Sequence, residues 1–88
     1  MPEKEAVMDA DESIRRALME LASERGSTST FCPSEAAKRV AKDWRPLMPR
    51  VQEVAAALME KGLLACTQRG QPAHPLKTRG AIRLKAAD

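Results

Sequence analysis

Eighty-eight residues make one small domain, and its core must come from Leu, Val, Ile, Ala and Met, because Phe31 and Trp44 stand alone as aromatics and Tyr is absent. No apolar run approaches the roughly 18–20 residues of a membrane span. The first residues also lack the apolar centre of a signal peptide, so a cytoplasmic protein with two reduced cysteines is expected. The net charge of +3 is unevenly spread. Residues 1–26 carry seven acids against four bases; residues 27–88 carry eleven bases against five acids. Residues 69–85 hold five bases and no acid, a skew that suggests an anionic partner for this part of the chain. The plainer alternative is that these charges only keep a small domain soluble.

Residues 1–10 are acidic and aperiodic and read as a frayed tail. Asp11 or a neighbour can cap a first helix, with Asp11 and Glu12 at its positive end. Ile14, Ala17, Leu18, Leu21 and Ala22 then recur at spacings of three and four, one apolar stripe of an amphipathic helix, and Gly26 is its stop. Thr28, Thr30 and Phe31 favour a short strand. Pro33 fits the first position of a second helix, with Glu35 in its first turn, Ala36, Ala37, Val40 and Ala41 inward and Lys38, Arg39 and Lys42 outward.

Pro46 and Pro49 lie three apart. Both are tolerated only in the opening turn of a helix, where the first N–H groups have no partner. A third helix follows, with Val51, Val54, Ala55, Leu58 and Met59 inward and Arg45, Pro49, Gln52, Glu53, Ala56 and Glu60 outward, ending at Gly62. Residues 63–68 read as a strand and residues 69–80 as a loop, with Gly70, Pro72, Pro75 and Gly80. Residues 81–85 alternate Ile82 and Leu84 with Arg83 and Lys85, the pattern of a half-buried strand. The two strands should pair as an antiparallel hairpin with a long, basic, flexible tip. The order helix, strand, helix, turn, helix, strand, loop, strand predicts a mainly α fold, a winged helix spanning residues 11–85 with a short tail at 86–88.

The motifs Cys32-Pro33-Ser34-Glu35, Trp44-Arg45-Pro46-Leu47-Met48-Pro49 with Val51, Thr67-Gln68-Arg69-Gly70 and Gly80-Ala81-Ile82-Arg83-Leu84 resemble those of small bacterial proteins catalogued as domain of unknown function 3253. The resemblance covers about residues 12–85. It implies a winged-helix-like fold and no established activity.

A winged helix points to a reader of nucleic acid. Candidate contacts are Arg45, Arg50 and Gln52 near the start of the third helix, which is where base-reading side chains belong, with Arg69, Lys77, Arg79 and Arg83 along a phosphate backbone. Glu53 and Glu60 weaken the helix as a reader, so the basic hairpin is the stronger feature. Trp44 either stacks beside Arg45 or fills the corner between the second and third helices. Double-stranded DNA is therefore the expected partner. The alternative is a protein–protein interaction module that binds no nucleic acid.

No catalytic or cofactor site is expected. Ser34 and Glu35 have no base beside them, there is no glycine-rich phosphate loop, and helix capping accounts for both residues. The last strand should lie between the first strand and the middle one, which puts Cys32 and Cys66 about 10 Å apart at two strand spacings. That exceeds the roughly 7 Å limit for a disulfide, so free thiols are expected. With His74 as the sole histidine, a metal site lacks ligands. No further long helix is available for dimerisation, so a monomer is the default.

Overall fold

In the computed structural model, which describes residues 10–87, the stripe at Ile14, Ala17, Leu18, Leu21 and Ala22 is the buried face of helix α1, Ala10–Arg25. Asp11 is the second residue of the helix rather than its cap, and Ala10, expected to end the frayed tail at residues 1–10, is its first; the rest of that expected tail, residues 1–9, lies outside the described residues. Gly26 stops the helix at φ +76°, its N–H donating to the Ala22 carbonyl at 2.8 Å. Only glycine takes that backbone conformation at no steric cost.

The strand expected around residues 28–31 contracts to a single bridge. Phe31 exchanges two backbone hydrogen bonds with Leu84, at 2.7 and 2.8 Å. The ladder stops there for two reasons. Pro33 opens helix α2, Pro33–Val40, two residues later, and the Thr30 carbonyl accepts from the Arg25 and Arg83 guanidinium groups at 3.3 and 3.2 Å. Ala36 and Ala37 are buried as expected; Val40 and Ala41 are only half-buried. Arg39 donates to Glu24 at 2.7 and 3.0 Å and ties α2 to α1.

Glu35, in the first turn of α2, accepts from the Cys32 N–H at 3.1 Å and pairs with Arg25 at 2.5 Å. Burial pushes its carboxyl up, but the Cys32 N–H, the Arg25 guanidinium and the charge of Arg83 outweigh that and hold it below the ordinary value. A carboxyl lowered in the folded state adds stability at neutral pH, and this is lost as pH falls through and below the ordinary range near ~4. Glu35→Gln is therefore expected to lower the urea midpoint at neutral pH and to flatten its decline on acidification. Glu24, held low by Arg39, preserves part of that decline. Parallel loss of stability in variant and wild type from about pH 6 to pH 3 would contradict the assignment.

The two prolines sit where the backbone tolerates them. Pro46 lies in a 3-10 turn, Arg45–Leu47, and Pro49 in the first turn of helix α3, Met48–Glu60. Val51, Ala55 and Leu58 are buried, with Val54 and Met59 packed at the margin. Ala56, expected to face outward, is instead 2% exposed. Helix α3 packs against α1, α2 and the sheet together, so its apolar face is wider than a single stripe.

Strands β1 (Leu64–Gln68), β2 (Gln71–Pro72) and β3 (Arg83–Ala86) form an antiparallel sheet in the order β2-β1-β3. Cys66 pairs with Leu84, and Leu84 with Phe31, so the last strand does lie between the other two segments. β2 falls inside the expected loop. It follows a two-residue turn in which Arg69 and Gly70 both have positive φ, +53° and +81°. A turn with two positive φ values matches the right-handed twist of the flanking strands and closes a tight hairpin. The long tip is not a free flap. Ala73 donates to the Cys66 carbonyl at 2.9 Å, Pro75 is buried, and Lys77 and Thr78 both donate to the His74 carbonyl, at 3.1 and 3.0 Å. β3 begins at Arg83 and runs through Ala86, one residue past the expected domain end, although Ile82 is already buried at 3% exposure.

The architecture is three helices and a small antiparallel sheet, mainly helical and consistent with a winged-helix-like arrangement. The core holds Phe31, Ile14, Leu18, Leu21, Leu64, Leu84 and Val51 as its largest fully buried side chains.

Candidate nucleic-acid interface

Residues at the start of α3 divide into three environments. Arg45 places its guanidinium carbon 4.7 Å from the centre of the Trp44 ring, and the Lys38 ammonium lies 5.0 Å from the same ring. Trp44 is half-buried against the core, so it fills the corner between α2 and α3 while still meeting both cations. Arg50 turns toward α1. It pairs with Asp11, with Nε 2.9 Å from Oδ1, and with Glu53 at 2.8 Å. Gln52 is half-buried and lines a cavity of about 190 Å³ whose other walls include Ser34 on α2 and Gly80 and Ala81 in the loop. A cavity of about 320 Å³ lies between α1 and α3, and Asp11, Glu12, Arg15, Arg50 and Glu53 in its lining are paired with one another.

On the hairpin, the Gln68 side chain donates to the carbonyls of Arg79 and Ala81 at 2.6 and 3.2 Å. This clamp ties the Arg79 backbone to the residue that precedes Arg69; both arginines are exposed. Gly80 makes the clamp possible. Its φ is +89°, and a Cβ there would sit 3.1 Å from the Gln68 amide nitrogen. Lys77 is exposed on a turn at the other end of the loop, where His74 Nδ1 accepts from the Leu76 N–H at 3.1 Å and His74 Nε2 lies 3.7 Å from Glu60. Arg83 is engaged elsewhere. It donates to Thr30 Oγ1 at 3.0 Å, to the Thr30 carbonyl and to Cys32 Sγ at 3.2 Å, fastening β3 to the segment before α2.

The candidate residues therefore do not form one cluster. Gln52 faces a common cavity with Gly80 and Ala81, the residues that follow Arg79, whereas Arg50 and Lys77 lie apart. Sequence reasoning missed Lys38 as a neighbour of Arg45 and Gln68 as the residue that orders the tip. A seven-residue separation across a helix end leaves no periodic signal for the first. For the second, only a polar residue ahead of the turn was visible.

Carboxylate pairing is uneven. Arg15, Arg25, Arg39 and Arg50, all on helices, each pair with a carboxylate. Among the described residues, Arg69, Lys77, Arg79 and Lys85 pair with none, and Arg16, Lys38, Lys42, Arg45 and Lys61 in the helical part form no ion pair either.

Cys32 and Cys66 are free thiols. Burial pushes the Cys66 thiol up, and it is 4% exposed. A maleimide is expected to add once to the native protein, at half-exposed Cys32, and to reach Cys66 only on unfolding. Equal labelling of both thiols in the native state, read by mass spectrometry, would contradict that burial.

No group of three His, Cys, Asp or Glu among the described residues is placed to hold a metal ion, and no helix among them is long and apolar enough to cross a membrane. A search of curated proteins finds no match. Residues 11–87 match the family described as protein of unknown function (DUF3253), so the chain belongs to that family.

Proposed function

We propose that this chain is a cytoplasmic, non-enzymatic winged-helix protein that binds double-stranded DNA mainly through its phosphate backbone. The observation that carries this reading is the uncompensated charge of the wing. Arg69, Lys77, Arg79 and Lys85 have no carboxylate partner among the described residues, while four helical arginines are neutralised in place. Unpaired cations on an ordered hairpin release counterions from a polyanion at little ordering cost. Gln52 and the start of α3 lie beside the wing across the shared cavity, which supports the two approaching one duplex together.

The test is a titration of a labelled random-sequence duplex. Four phosphate contacts give a slope of about −3.6 in log affinity against log salt, a loss of roughly two orders of magnitude between 50 and 200 mM. Absence of binding at low salt would remove the reading. It would favour a protein-docking module instead, for which the exposed side chains Leu63 and Leu76 are the available apolar anchors.

A further inference from the structure

We infer that Lys38, Trp44 and Arg45 form a second backbone-binding site for duplex DNA, separate from the wing, in which the indole ring holds two cations ready for phosphate. The inference rests on the nucleic-acid reading above and adds a site to it. Lys38 lies in the last turn of α2 and Arg45 opens the 3-10 turn, so the two charges come from different elements and meet around one ring, at 5.0 and 4.7 Å from its centre. Neither pairs with a carboxylate among the described residues, and neighbouring Asp43 pairs with neither. Lys42, exposed just before Trp44, adds a third uncompensated cation.

Gathering like charges without an acid costs repulsion, and the ring quadrupole offsets part of it. The ring also limits the rotamers of two long side chains, which lowers the ordering cost when an anion arrives. The place in the fold fits a backbone contact. Met48, three residues after Arg45, lines the cavity whose opposite wall is Gly80 and Ala81. Arg45 thus opens the 3-10 turn that leads directly into the part of α3 sharing that cavity with the loop before β3.

The chain carries its own reporter, because Trp44 is the single tryptophan and there is no tyrosine. Full-length protein is titrated with a dye-labelled duplex at about 50 mM salt while anisotropy and Trp44 emission are followed together. Both signals are expected to change with one midpoint. In the double variant Lys38→Ala/Arg45→Ala the affinity is expected to fall at least about tenfold, and the salt slope to shrink by about 2, close to one unit for each phosphate left without its cation. Two results overturn the inference alone: anisotropy that saturates with Trp44 emission unmoved in the wild type, or a double variant with wild-type affinity and slope. No anisotropy change at any duplex concentration overturns the nucleic-acid reading, and this site with it.

Discussion

Phe31→Ala is expected to cost about 3–5 kcal/mol, the usual penalty for truncating a fully buried aromatic. Phe31 is 0% exposed and is the largest side chain buried in the core. Its backbone also makes the one bridge that joins the segment between α1 and α2 to the sheet. A domain of this length holds roughly 4–13 kcal/mol in total. The variant should therefore be largely unfolded at the low end of that range, and at the high end should melt tens of degrees lower, since each kcal/mol shifts Tm by about 4–8 °C. Leu76→Ala is the matched control. Leu76 is 55% exposed, and its loss should change stability by no more than about 0.5 kcal/mol. Thermal and urea denaturation followed by circular dichroism measure both. A Phe31→Ala loss of about 1 kcal/mol or less would mean that the space refills and that Phe31 does not anchor the core.

Helices were legible wherever spacing and a stop signal agreed. The stripe from Ile14 to Ala22 with Gly26, and that from Val51 to Leu58 with Gly62, are local patterns, and both ends fold as read. The sheet was only partly legible because its decisive steps are unusual or distant. Arg69 at positive φ lacks the Asn-Gly or Asp-Gly mark of such turns, and Pro72 argues against a strand until the strand is seen at a sheet edge. Ala56 misled because a helix touched on three sides buries residues beyond its stripe. At the candidate site the excess of bases after Arg69 was plain, but which of them were free was not. Arg50 finds Asp11 across 39 residues, and Arg83 finds Thr30 across 53, and no local pattern announces such pairings.

Those pairings decide which wing substitutions should weaken DNA binding. The triple change Arg69→Ala/Lys77→Ala/Arg79→Ala removes three exposed cations that touch no carboxylate among the described residues, so little stability should go with them. If each meets a phosphate, the salt slope should flatten by about 2.7 and the affinity at about 50 mM salt should fall by one to two orders of magnitude, by about the same factor on every duplex. Uniformity is the signature of backbone contact, because base-edge contacts discriminate by about 1–3 kcal/mol per position and would weaken some sequences far more than others. Arg83→Ala separates charge from structure. It carries the same formal charge, but its guanidinium holds Thr30 and Cys32. Its loss should therefore lower Tm by a few degrees, on the order of 1 kcal/mol, and leave the salt slope nearly unchanged. The reverse pattern, with Arg83 changing the slope and the triple variant silent, would move the contact surface off the hairpin end and onto the sheet face that Arg83 shares with Thr30 and Cys32.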